Sequence, residues 1–275
     1  VGGYVRDKLL NRESSDIDIM VEGDAISYAK LLGNEIGVPK IVEFENFGTA
    51  RIPYEKFEIE VSSARSESYT KDSRNPKVEL STFKDDMSRR DFTVNAIAAS
   101  IHPDSFGEIH DPFGGIKDLH KGLIITPLDP DATFDDDPLR MLRAIRFSAQ
   151  LDFNIAPNLM ESISRMKNRI SIISWERITY EIIKILNSPK PSVGLYLLRD
   201  VGLLDIILPE FSIMQGVEVI DNMGHKDVFI HTLQVIDNAA ELSDKMEIRF
   251  AALVHDIAKP QTKRFFKNKG WTYHG

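Results

Sequence analysis

The chain has 275 residues, 42% of them hydrophobic and 9% aromatic, with no cysteine and a net charge of −8. That length suits roughly two domains with real apolar cores, and it excludes a disordered chain, disulfides and thiolate metal sites. No apolar run approaches the roughly 18–20 residues of a membrane span, and an acidic balance argues against a nucleic-acid partner, which usually brings a basic footprint.

The chain opens on Val1-Gly2-Gly3, without Met or a signal-peptide pattern, and stops at Gly275 without an evident helix end. It therefore reads as truncated at both ends, and absent segments could carry basic surface. Residues 1–120 mix short strand-like runs with helices. Asp16 to Val21 alternates with period two and predicts a strand, as does Phe57 to Val61. Gly23 to Gly37 and Asp85 to Ile101 predict helices, and Asp111-Pro-Phe-Gly-Gly115 predicts a turn. From Thr133 onward the pattern is helical, with helices expected over Asp135–Leu151, Pro157–Lys167, Ser174–Leu186 and Ser192–Val201. A last region, from about Gly224, holds His225, His231, His255 and His274.

Five constellations carry possible chemistry. Gly2, Gly3, Arg6 and Asp7 precede a helix-like segment. Glycines let backbone N–H groups approach a phosphate, and arginine supplies a contact, although a plain tight turn fits as well. Asp16 and Asp18 share one face of their strand, where two carboxylates can grip hard cations; an exposed strand face with two solvated aspartates is the alternative. Glu58 and Glu60 share a face of the second strand, and Glu60 is the candidate to complete a carboxylate cluster. Arg90 is next to Asp91, and Asn95 falls one turn beyond Asp91 on the expected helix, suiting phosphate and sugar contacts, or a surface ion pair. Asp135-Asp-Asp137-Pro begins the next helix, on which Arg140, Arg143 and Arg146 recur every three residues, either for an anion or base edge or as a solvated basic face.

Taken in order, Gly-Gly-x-Val-Arg-Asp, Asp-x-Asp, Arg-Arg-Asp-Phe-Thr-x-Asn-Ala and Asp-Pro-Leu-Arg-x-x-Arg-Ala-x-Arg-Phe resemble the bacterial-type (class II) tRNA nucleotidyltransferase and poly(A) polymerase family. The match runs from residue 1 to about 205 and includes the helix start at Ser174-Trp-Glu-Arg177. The resemblance implies an α+β chain. A polymerase-beta-like nucleotidyltransferase head with a small mixed sheet would span 1–122, an all-α neck 123–210, and an HD-type helical domain 211–275.

The same resemblance implies that Asp16 and Asp18 hold two Mg²⁺ ions and perform the catalysis, and the strand pattern adds Glu60 as a third catalytic candidate. The resemblance implies nucleotide contacts at Gly3, Arg6, Arg90, Asp137, Arg140, Arg143 and Arg146, with Asp137 and Arg140 reading the incoming base, and Gly2, Asp7, Asp91 and Asn95 of the same motifs are the further nucleotide-binding candidates. Asp136 stands where family members often carry Glu, and no role is carried over to it. His231, expected to open a helix over Thr232–Leu242, and His255-Asp256, closing a helix over Arg249–Val254, resemble an HD site for a divalent transition metal. The implied partners are the tRNA 3′ end, CTP and ATP, and the implied location is the cytoplasm, with no membrane. CCA addition is the expected activity. Poly(A), A-only or CC-only addition, or an HD phosphohydrolase, are the alternatives. The oligomeric state is not legible.

Overall fold

The computed structural model describes residues 1–70 and 73–273; His274 lies outside the described residues. The chain divides into two compact units, Val1–Asp137 and Pro138–Gly275.

The first unit runs α1 (Gly3–Leu9), β1 (Asp16–Val21), α2 (Ala25–Glu35), β2 (Val42–Phe44), β3 (Thr49–Tyr54), β4 (Phe57–Ser63), β5 (Arg65–Thr70) and β6 (Ser73–Leu80). It continues with α3 (Phe83–Ser88), β7 (Ala98–Ala99), β8 (Ile109–His110), α4 (Gly115–Lys121), β9 (Leu123–Ile124) and α5 (Pro130–Asp136). Four strands form one sheet in the order β1-β4-β3-β2, with β1 parallel to β4 and the other pairs antiparallel. Alternation gives this sheet two unlike faces. Ile52, Ile59 and Val61, with Ile17 and Ile19, pack with Ala25 and Ala29 of α2 on one face. The aspartates and glutamates of β1 and β4 are left on the other. The start of α2 is fixed by Asp24, whose side chain accepts from the N–H groups of Ile26 and Ser27.

The second unit runs α6 (Leu139–Leu151), β10 (Asn154–Ile155), α7 (Pro157–Met166), α8 (Trp175–Leu186), α9 (Pro191–Asp200), α10 (Leu204–Ile207) and α11 (Pro209–Ser212). Then come β11 (Val219–Ile220), β12 (Met223–Gly224), α12 (Val228–Leu242), α13 (Met246–Val254), α14 (Lys259–Thr262), β13 (Arg264–Phe266) and β14 (Gly270–Thr272). Helix α6 packs on α8 and α9, and α12 packs on α9 and α13. The core between them includes Leu142, Ile145, Ile185, Leu195, Leu198 and Ile236, all buried. Gly194 of α9 lies so close to Ile185 of α8 that a Cβ there would collide with it.

Several sequence expectations need correction. The helix expected over Asp85–Ile101 ends at Ser88, and Thr93–Asn95 is a single 3₁₀ turn. Every residue from Asp91 to Ala98 is buried, so the segment has no polar face to give an exposed helix. Asp91 also accepts from the Phe92 N–H at 2.8 Å, a local bond that competes with helix. The helix expected over Asp135–Leu151 is two helices. Pro138 disfavours helical backbone at the residue before it, and Asp137 is extended, with φ −141° and ψ 100°. His231 does not open a helix; it sits inside the first turn of α12, whose cap is Asp227. Beyond Thr133 the chain also forms the small hairpins β11–β12 and β13–β14, where only helix was expected.

Candidate active site

On the polar face of the sheet, register decides which carboxylates meet. Asp16 stands opposite Glu58 and Asp18 opposite Glu60 in the parallel β1–β4 pair. The register therefore sets Glu60 across from Asp18, on the face that the two aspartates share. Burial pushes the Asp18 carboxyl above its ordinary range; the carboxylates of Glu60 and Asp16 push the same way, and Arg90 opposes them. Three hard oxygen donors on neighbouring strands, one of them destabilised as an anion, suit a divalent cation such as Mg²⁺.

The glycine turn lies against this face. Gly2 caps α1 with φ 70° and ψ −137°, a conformation open to glycine, and its N–H donates to the Ile97 carbonyl at 3.0 Å. A Cβ on Gly2 would stand 2.7 Å from an Arg90 Nη1 and 3.5 Å from Asp18 Oδ2. The bare backbone thus lies between the cation and the carboxylate. Arg90 Nη1 also donates to the Asn95 carbonyl at 3.2 Å, while Nε and Nη2 reach Asp86. Asp86 is 1% exposed and holds Arg89 as well. Sequence reasoning missed Asp86, although its four-residue spacing from Arg90 within the expected helix was a usable signal.

Arg6 is buried and forks onto Asp7, with Nε to Oδ1 at 2.8 Å and Nη2 to Oδ2 at 2.9 Å. Its Nη1 donates to Asn95 Oδ1 at 2.6 Å, and Asn95 Nδ2 donates to Asp91 Oδ1 at 2.9 Å. The first and fourth motifs are therefore brought into one network, through a 3₁₀ turn rather than the expected helix.

The arginine helix differs from its sequence reading. Arg140 and Arg146 are buried, so α6 does not present a solvated row of three cations. Arg146 Nη1 donates to Glu181 Oε1 of α8 at 3.1 Å, and both side chains are at most 5% exposed. Its guanidinium also lies 4.2 Å over the Phe147 ring, and that of Arg143 lies 5.5 Å from the same ring. Asp137 and Arg140 are not on one helix: Asp137 is the extended residue before Pro138, and Arg140 lies in the first turn of α6.

In the second unit, His231, His255 and Asp256 offer ligand atoms within 4.8 Å of one another. Asp256 Oδ2 lies 3.6 Å from His231 Nε2 and 3.1 Å from His255 Nε2. His255 Nδ1 lies 2.8 Å from the Ala252 carbonyl, which can only accept. That bond places a proton on Nδ1, so a neutral His255 turns a lone pair towards the Asp256 carboxylate. Two imidazoles and a carboxylate suit a divalent transition metal. Lys259, missed in the sequence, places its Nζ 2.5 Å from the same Asp256 oxygen. A cavity of about 630 Å³ adjoins, lined by His225, Lys226, His231, Lys259, Trp271 and Tyr273 among others.

A small mixed sheet with a carboxylate face beside a glycine turn, then a helical body ending in a His/His-Asp cluster, defines a nucleotidyltransferase head joined to an HD-type domain. Comparison with known proteins agrees. Residues 1–125 match the poly A polymerase head domain family, 152–214 the family described as the probable RNA and SrmB-binding site of polymerase A, and 228–275 the HD domain family. The chain is 35% identical over 277 residues to a multifunctional CCA protein of Nitrosospira multiformis, covering 95% of this chain and 62% of that protein. It is 42% identical over 168 residues to an A-adding tRNA nucleotidyltransferase of Aquifex aeolicus, covering 61% of this chain and 20% of that protein. The chain thus spans only part of these relatives. Among solved structures, a tRNA nucleotidyltransferase complexed with a primer tRNA and an incoming ATP analog superposes with a TM-score of 0.72 and 28% identity, over 93% of this chain and 71% of that one. A CCA-adding enzyme with ATP gives 0.70 and 30%, over 93% and 57%. The chain belongs to the tRNA nucleotidyltransferase and poly(A) polymerase family. No helix among the described residues is long and apolar enough to cross a membrane.

Proposed function

We propose that the chain carries the catalytic and nucleotide-selecting parts of a cytoplasmic tRNA nucleotidyltransferase, adding C, C and A from CTP and ATP to the 3′ end of tRNA without a template. The observation that carries this reading is the register of Asp16, Asp18 and Glu60 on one sheet face, beside the Gly2 turn and Arg90. These carboxylates would hold two Mg²⁺ ions, which supply activation of the RNA 3′-hydroxyl and stabilisation of the pyrophosphate leaving group. Gly2 lets Arg90 come close to the backbone of the turn, and Arg90, held by Asp86, presents positive charge there for a triphosphate. Arg6 is oriented by Asp7 and Asn95, which fixes the far side of the same turn. By resemblance the domains are a head over 1–122, a neck over 123–210 and an HD domain over 211–275.

Base choice is assigned by resemblance to Asp137 and Arg140. An acceptor and a donor together satisfy the amine and ring nitrogen of cytosine, and equally those of adenine. Uracil and guanine present a carbonyl instead of the amine, leaving an unpaired buried group that costs about 1–3 kcal/mol.

The test offers the protein a tRNA lacking its 3′ terminus, Mg²⁺ and each nucleotide separately. A CCA-adding chain incorporates CTP first, then ATP, and stops after three additions. Incorporation of ATP on a tRNA ending in CC, with no CTP incorporation on a tRNA lacking CC, contradicts CCA addition and establishes the A-adding reading, which the Aquifex aeolicus relative favours. The His231, His255 and Asp256 cluster favours a second activity, metal-dependent phosphoester hydrolysis, in the HD region.

A further inference from the structure

Arg51 belongs to none of the motifs above. Its position on β3 sets it opposite Glu60 in the antiparallel register, and Glu60 stands opposite Asp18 in the parallel one. Arg51, Glu60 and Asp18 thus form one row across three strands. The Arg51 Nε donates to Glu60 Oε2 at 3.0 Å, and its Nη1 lies 3.1 Å from Glu58 Oε1. Its guanidinium carbon is 5.5 Å from the centre of the Phe44 ring.

Four carboxylates occupy this face: Asp16, Asp18, Glu58 and Glu60. Arg51 bridges the two glutamates, so the charge that would otherwise repel across β4 is partly neutralised before any metal arrives. Glu60 Oε2 accepts from Arg51 on β3, the strand on the side of β4 away from Asp18 on β1, so the pair and a cation gripped by Asp18 draw on the same carboxylate from opposite sides. The three side chains are 39–54% exposed, and ion pairs at such exposure contribute little and open readily. The pair is therefore weak enough to release Glu60 to a competing cation.

We propose that Arg51 is a positioning residue for Glu60. It holds the third carboxylate in the metal-free face and surrenders it to the divalent cation gripped by Asp16 and Asp18, so that metal loading competes with the Arg51–Glu60 pair. This rests on the metal-binding reading of those aspartates. Both consequences of removing Arg51 act in one direction: Glu60 is freed, and a positive charge that repels the incoming cation is gone.

The experiment is a calorimetric Mg²⁺ titration of the full chain, without nucleotide or RNA. The proteins are wild type, Arg51→Gln, Arg51→Lys, Asp18→Asn and the double variant Arg51→Gln/Glu60→Gln, each checked for folding by thermal melting in EDTA. Arg51→Gln should lower the Mg²⁺ dissociation constant about two- to tenfold. Arg51→Lys should stay near wild type, and the double variant should lose the gain because Glu60 no longer ligates. Unchanged or weaker Mg²⁺ binding in Arg51→Gln, while Asp18→Asn weakens it, overturns the role of Arg51 alone. If Asp18→Asn leaves Mg²⁺ binding unchanged, the metal face itself is wrong and this assignment falls with it.

Discussion

Glu60 stands opposite Asp18 on the neighbouring parallel strand, and the two carboxylates share a face with Asp16. The electrostatic consequence is a raised Asp18 pKa, driven first by burial and then by these like charges. A carboxyl whose pKa is raised on folding binds its proton more tightly in the folded state than in the unfolded one. Stability therefore falls as pH rises from the usual carboxylate range through the raised value, and stays lower above it. Asp18→Asn removes that cost. In EDTA at pH 7 the variant should melt above wild type, and the gap should close as pH falls below the usual carboxylate range. Equal melting temperatures at pH 7 contradict the argument.

Gly2→Ala tests the turn. Its backbone at φ 70° and ψ −137° is strained for any residue with a Cβ, at about 1–3 kcal/mol, and the new methyl would meet Arg90. The expected result is a lower melting temperature together with a raised KM for the nucleotide. Unchanged nucleotide KM in a folded Gly2→Ala protein removes the turn from the nucleotide site.

Arg146→Ala separates packing from ligand contact. It leaves Glu181, 2% exposed, as a buried unpaired anion, which typically costs about 3–5 kcal/mol. Denaturant unfolding should show that loss. A variant with wild-type stability but a raised KM would restore Arg146 to the nucleotide contact that the family resemblance implies.

Metal binding in the HD region is checked on the full chain by elemental analysis after loading with Mn²⁺ or Ni²⁺. His255→Ala should lose the bound ion and spare nucleotide addition, because His255 supplies the lone pair beside Asp256. Equal metal content in wild type and variant excludes His255 as a ligand.

The parts of the site legible in the sequence are those fixed by local pattern. Alternation around Asp16 and Asp18 gave the strand and its two faces, and the same alternation put Glu58 and Glu60 on one side of β4. Their meeting depended on the parallel β1–β4 pairing, a long-range choice that no local spacing encodes. The β2 and β3 strands were not anticipated, so Arg51 was invisible as a partner of Glu60. Asp91 to Ala98 misled because a fully buried segment shows neither helical nor strand period. Pro138 is legible as a helix start, and the same ring disfavours helical backbone at the preceding residue, which takes Asp137 out of the helix. The Arg146–Glu181 pair lies 35 residues apart in the chain, and only helix packing brings it together.

The central claim is nucleotidyl transfer at Asp16 and Asp18, and its most direct test is the addition rate of Asp16→Ala and Asp18→Ala on a tRNA lacking its 3′ terminus, with CTP, ATP and Mg²⁺. The two side chains line a sheet face and support no core, since the apolar residues of β1 pack on the opposite face. Both variants should therefore fold with wild-type circular dichroism. The account predicts that each loses addition by about a thousandfold or more, the effect of removing a metal ligand at the reacting centre. A folded variant of either kind that adds nucleotides within about tenfold of the wild-type rate would contradict it.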